Sequence, residues 1–106
     1  MGKDIKQLTD DMHQFVTAKG WYATDSKRPQ TAKNIAISLV LEASEVLEHF
    51  QWNEQTFNQE QLKGEVADVA LYLFQLCHTC KIDLEDAIQQ KLKINYEREW
   101  DQNTVE

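Results

Sequence analysis

Two apolar runs decide the fold. The first is Ile35-Ala36-Ile37-Ser38-Leu39-Val40-Leu41-Glu42-Ala43-Ser44-Glu45-Val46-Leu47-Glu48-His49-Phe50-Gln51-Trp52, and the second is Leu62-Lys63-Gly64-Glu65-Val66-Ala67-Asp68-Val69-Ala70-Leu71-Tyr72-Leu73-Phe74. Both have the three-and-four recurrence of an amphipathic helix. Each carries two acids three positions apart, Glu42 with Glu45 and Glu65 with Asp68, so each pair shares one helix face. That face is the apolar one. Steps of three and four from Ile35 pass through Leu39, Glu42 and Val46; from Leu62 they pass through Glu65, Val69, Leu73 and Leu76. The acids are therefore expected to interrupt the core stripe rather than line the solvent side.

A short connection makes two such helices antiparallel neighbours and brings four carboxylates together. Like charges at this spacing are destabilising by about 0.2–0.5 kcal/mol even in water, and by more when partly buried without a counter-charge. Lys63 is the only cation in the two runs, and it falls two positions before Glu65, off that face. A hard divalent cation is the simplest compensation. An all-oxygen carboxylate set suits Mg²⁺, with Mn²⁺ as a substitute, and Mg²⁺ keeps positions open for water and phosphate oxygens. Either acid pair alone would be an ordinary solvated face; it is the second pair on a second stripe that favours a site.

The rest of the composition sets bounds. A chain of 106 residues is expected to form one domain over residues 1–106, with an ordered core of about 4–100. A helical chain this short often completes its core by self-association. The net charge of −7, from 18 acidic and 11 basic residues, argues against a nucleic-acid polymer as partner. It leaves room for a nucleotide whose charge is met by metal. The start, Met1-Gly2-Lys3-Asp4, has no apolar run behind it, Lys6 stands where myristoylation wants Ser or Thr, and Ile35–Leu41 is far too short to span a membrane. The expectation is a cytoplasmic protein without membrane contact. Cys77 and Cys80 form a CxxC near the end of an apolar helix rather than at a helix start, and no second pair accompanies them, so they read as structural thiols.

Helix one is expected from Asp4, with Gln7 as its capping-box partner and Ile5, Leu8, Met12, Phe15 and Val16 as its apolar face; Gly20 stops it. Residues 21–31 read as a loop, whose two aromatics and two cations hint at a ligand contact, or equally at a packed Trp21 that anchors the loop. Helix two runs from about Thr31 to Gln51. Asn58 caps helix three, with Gln61 three positions on and Phe57 and Leu62 placed as a hydrophobic staple; it runs to about Thr79. Gly64 inside it is disfavoured by about 1 kcal/mol relative to Ala, which a close approach of helix or ligand would explain, as would tolerated drift. Asp83 caps helix four, with Asp86 three positions later; its stripe is Leu84, Ile88 and Leu92, and Lys91 and Asn95 share a flank. No strand is expected, so the fold class is all-α with four helices. Residues 101–106 are expected to fray.

Taken together these residues resemble a known family. Glu42-x-x-Glu45 followed by Glu65-x-x-Asp68, with Phe50-Gln51-Trp52 closing the first of the two helices, is similar to the MazG-type all-α nucleoside triphosphate pyrophosphohydrolases, in particular the short single-domain branch that includes the dCTP pyrophosphatases. Further matches are Asn34, Tyr72, the turn Lys81-Ile82-Asp83-Leu84-Glu85 and the run Lys91-Leu92-Lys93-Ile94-Asn95. The resemblance implies a four-helix bundle completed by oligomerisation, a tetramer (a pair of dimers) favoured over a dimer. It implies Mg²⁺-dependent hydrolysis of a (deoxy)nucleoside triphosphate to monophosphate and pyrophosphate. Glu42, Glu45, Glu65 and Asp68 would hold the metal, with Glu45 and Glu42 as the catalytic carboxylates and Glu45 taking the proton of the attacking water. Lys91 and Asn95 match phosphate-contacting positions, Trp52 and Tyr72 positions near the nucleoside, Trp21 an aromatic at the pocket edge, and His13 lies near a position where relatives place a histidine at the base. The chain departs from the pattern in its longer loop before Asn34 and in Tyr96-Glu97, where relatives carry Tyr-Pro.

Two other readings compete. A carboxylate-bridged di-iron protein would show Glu-x-x-His on two helices, and none is present. A non-enzymatic helical module could bind a nucleotide or a protein through the same acidic pocket; it differs from an enzyme in showing no triphosphate hydrolysis.

Overall fold

The computed structural model describes residues 2–52 and 57–98, and these form four helices with no strand among them: α1 (Ile5–Ala18), α2 (Ala32–Glu48), α3 (Gln59–Thr79) and α4 (Leu84–Glu97). Each helix begins where a short polar side chain satisfies a backbone N–H that the first turn would leave bare. At α1 the cap is reciprocal: Asp4 accepts from the Gln7 amide at 2.8 Å while the Gln7 side chain accepts from the Asp4 amide at 2.9 Å. Thr31, Asn58 and Asp83 accept from the amides of Asn34, Gln61 and Asp86 at α2, α3 and α4.

The ends differ more. Past α1 the Trp21 amide reaches Val16 and the Gly20 amide reaches Thr17, with Gly20 at φ 73°; this double closure needs a left-handed residue, which glycine adopts without strain. The same closure ends α3, where the Ile82 amide reaches Cys77 and the Lys81 amide reaches His78, but here Lys81 takes φ 59°. α2 stops at Glu48, short of the expected Gln51, because the amides of His49, Phe50 and Gln51 each bond three residues back, to Val46, Leu47 and Glu48. The ladder tightens there into narrower turns. Phe50 then meets Phe57 edge-on at 5.1 Å between centroids.

α2 packs along α3 as the principal pair, and α1 packs on α3 from another side. The fully covered positions are few: Met12 and Val16 from α1, Ile35 from α2, Gln75 and Cys77 from α3. Four helices are present as expected, but α4 has no buried residue and no comparable contact with the other three. Of its expected stripe Leu84 is half-buried, and Ile88 and Leu92 lie open. Among the described residues the stripe is covered only at Leu84, and Ile88 and Leu92 are left exposed. Two further expectations change. A Cβ on Gly64 would meet nothing within 4 Å, so no neighbour within the described residues requires the glycine. The expected fraying of 101–106 falls outside the described residues.

Candidate active site

Two long-range hydrogen bonds fix how α2 and α3 lie. Near one end His49, just past α2, pairs through Nε2 with Oε2 of Glu65. Near the other, Gln75 of α3 donates to Oε1 of Gln30, just before α2, at 2.6 Å. Residue numbers fall along one helix as they rise along the other, which makes the pair antiparallel and sets Glu42 and Glu45 opposite Glu65 and Asp68.

The four acids are not equivalent. Glu42 and Glu65 are half-buried, whereas Glu45 and Asp68 are exposed. The expectation that all four interrupt the core stripe is therefore corrected for Glu45 and Asp68, which sit at its solvent margin. Glu42 senses the whole group: burial pushes its carboxyl above the usual range, and hydrogen bonding to Glu45 and the charges of Glu45, Asp68 and Glu65 push it further in the same direction. Its Oε2 is sealed from solvent and has no hydrogen-bond partner. An orphaned carboxylate oxygen amid three other acids is an arrangement a hard cation would relieve, so the donor set fits Mg²⁺ or Mn²⁺ in kind. Among the described residues no three of these side chains are closed into a metal cage.

One and two turns further along the same helices lies a cleft of about 310 Å³ lined by Trp21, Arg28, Asn34, Ser38 and Tyr72, among others. Asn34, Ser38 and Glu42 follow at steps of four on α2, and Asp68 and Tyr72 do so on α3, so the cleft continues the acidic face. From Asn34 to Glu42 the helix rises about 12 Å, a length a nucleotide can bridge. Trp21 stands as one wall: its ring meets Phe15 edge-on at 5.6 Å and carries the Arg28 guanidinium 5.6 Å from its centroid. The loop of residues 21–31, singled out in the sequence for its aromatics and cations, thus supplies one side of this cleft.

The remaining candidates are placed differently. Trp52 is 90% exposed, Lys91 lies open on α4, and Asn95 is half-buried there. His13 is not among the residues lining the cleft; its Nδ1 lies 2.5 Å from the Tyr22 hydroxyl and its ring 3.8 Å from that of His78. Burial, then the neighbouring His78, lower its pKa against a smaller opposing effect of Asp10. Cys77 and Cys80 are free thiols; Cys77 is buried and burial pushes its thiol up, away from the reactive thiolate, as the structural reading expects, whereas Cys80 is exposed. The sequence reading missed His49 and Gln75. His49 had a signal, since it lies seven residues after Glu42 and four after Glu45, on their face.

The family comparison decides what this arrangement belongs to: the description "MazG-like family" matches residues 37–105, which hold both acid pairs. The chain belongs to the MazG-like family. Among similar proteins, dCTP pyrophosphatase 1 of Mus musculus and that of Homo sapiens are each 33% identical over 105 residues, covering 91% of this chain and 57% of theirs. The chain thus spans a little over half the length of these curated relatives. The crystal structure of a pyrophosphatase from Archaeoglobus fulgidus superposes with a TM-score of 0.71 at 28% identity, covering 96% of both chains. No described helix is long and apolar enough to cross a membrane.

Proposed function

We propose that this chain is a nucleoside triphosphate pyrophosphohydrolase, cleaving (deoxy)nucleoside triphosphates to monophosphate and pyrophosphate, with a deoxynucleotide, dCTP-like preference and a house-cleaning role in the nucleotide pool. One observation carries the reading: two facing acid pairs on α2 and α3 adjoin, on the same helix faces, a cleft walled by Trp21 and Tyr72. The names of the mammalian relatives and of the archaeal structure support the reaction and the base.

Glu42, Glu45, Glu65 and Asp68 would hold Mg²⁺, or Mn²⁺ in its place. When bound, the ion supplies charge neutralisation to the triphosphate and polarises the phosphorus under attack. Glu45, the exposed member of its pair, is placed to accept the proton of the attacking water, while the half-buried Glu42, whose Oε2 is shielded from solvent, would serve as the inner catalytic carboxylate. Trp21 and Tyr72 offer aromatic faces to the base, and Asn34 and Arg28 offer donors at the same cleft. His13 stands behind this wall, joined to it through Tyr22, the neighbour of Trp21.

Trp52, Lys91 and Asn95 enter the reading through self-association. α2 has further apolar residues, Val40, Leu41 and Leu47, that are left open; Val40 and Leu47 are each 67% exposed. Val66 and Leu71 of α3 and Ile88, Leu92 and Ile94 of α4 are also open. So much exposed apolar surface on a small domain is the mark of an interface. The chain is proposed to act as a single domain in a homo-oligomer, a tetramer in preference to a dimer, in which Trp52 contacts the nucleoside and Lys91 and Asn95 the phosphates of a pocket shared between subunits. Cytoplasmic location, with neither a membrane nor a nucleic-acid polymer as partner, completes the reading.

The test is product release from a panel of ribo- and deoxynucleoside triphosphates with Mg²⁺ and with chelator. The expected result is pyrophosphate, released only with metal and fastest from a deoxynucleotide. Orthophosphate as product, or equal rates in chelator, would contradict it.

A further inference from the structure

His49 lies outside the carboxylate set yet touches it. It sits at the C-cap of α2, with φ −62° and ψ −25°, where the ladder tightens and its ring is turned toward α3. The ring is 14% exposed and the Glu65 side chain 28%, so their contact is largely shielded from water. Glu65 is at the same time close enough to Glu42 for its charge to act there. One carboxylate thus faces two ways: Oε2 is taken by a ring N–H from the end of the opposite helix, and its charge reaches Glu42 of the facing acid pair.

A glutamate on α3 with three acids before it has three rotatable bonds and a repulsive field that favours turning away. An imidazole N–H on one oxygen opposes that rotation without adding a competing ligand, and donors of this kind behind a ligating carboxylate typically change metal affinity by about 10–100-fold. We propose that His49 is a positioning residue for Glu65, holding one carboxylate oxygen so that the other is presented to the divalent cation. The proposal rests on the four-acid site described above and adds a nitrogen donor to its surroundings. Nε2 carries the proton in this arrangement, and no net charge on the ring is required.

The experiment is Mn²⁺ binding to the purified full chain, read from the spin-resonance signal of free Mn²⁺ without nucleotide. His49→Leu removes the donor; His49→Gln keeps an N–H at nearly the same reach; His49→Asn keeps one that is too short. The expected result is that His49→Leu and His49→Asn weaken Mn²⁺ binding by about 10–100-fold, and that His49→Gln stays within about threefold of the parent. In a Glu65→Gln background, His49→Leu should add no further loss, because the group it positions is gone. A purely structural role would not show that non-additivity or the rescue by Gln. Unchanged or tighter binding in His49→Leu, a Gln variant as weak as Leu, or additive losses would overturn the role of His49. Failure of the parent chain to bind Mn²⁺ at all would overturn the site itself, a different result from a site that binds normally without His49. If His49→Leu does not fold, His49→Asn against His49→Gln makes the same comparison.

Discussion

α2 and α4 are both amphipathic helices, and the chain treats them oppositely. α2 is clamped to α3 at both ends, by His49 on Glu65 and by Gln75 on Gln30, and its Ile35 is completely buried. α4 is capped by Asp83 and regular to Glu97, yet none of its residues is buried. Both sequences are good enough to form a helix, so helix formation does not separate them. What separates them is how much partner surface the described residues offer each one. The part that is self-sufficient holds the acids; the part that is not holds Lys91 and Asn95.

That contrast breaks most visibly at the acids. Glu45→Gln should lower the rate of pyrophosphate release by at least about 10²-fold while circular dichroism stays that of the parent. A full-rate variant would detach the α2–α3 pair from the chemistry. Next in size is the interface: Val40→Asp among the open apolar residues of α2 should shift the mass measured by light scattering to a smaller assembly. It should also reduce turnover, since Trp52, Lys91 and Asn95 would lose the neighbouring pocket. An unchanged mass would mean that these residues are not part of the interface.

A smaller effect sharpens the comparison inside α3. Gly64 faces open space in the single chain, so Gly64→Ala should raise unfolding free energy by about 1 kcal/mol, the helix-propensity difference. A loss instead would show that a subunit or ligand approaches the backbone there. The last is a slope. Glu42 has its carboxyl raised by burial and by three neighbouring acids, so the folded metal-free chain holds its proton more tightly than the unfolded chain does. Its stabilising contribution is present below the unfolded value of about 4.3 and fades as pH rises through the raised folded value. Thermal melts in chelator should show this component of decline with rising pH, Glu42→Gln should remove it, and Mg²⁺ should reduce it.

Much of this was legible in the residues. Asp4, Asn58 and Asp83 marked helix starts because a capping side chain acts on an amide three positions away, a relation contained in local order. The acid pairs were legible for the same reason, since a spacing of three is a statement about one helix. His49 with Glu65 and Gln30 with Gln75 were not, because they depend on the register between two helices. The open face of α4 was illegible for a related reason: Leu84, Ile88 and Leu92 say which side wants cover, not what provides it. Glu45 and Asp68 at the solvent margin show the remaining gap, as a stripe on a helical wheel does not reveal where the partner helix ends.

The carboxylates of α2 and α3 are proposed to act together on one metal-borne triphosphate, and that joint action is open to a direct test. It is tested most directly by following Mg²⁺-dependent pyrophosphate release from dCTP in Glu42→Gln, Glu65→Gln and the double variant. A shared site predicts that either substitution abolishes most of the activity and that combining them adds little. Independent, multiplying losses, or full activity when either helix is neutralised, would contradict it.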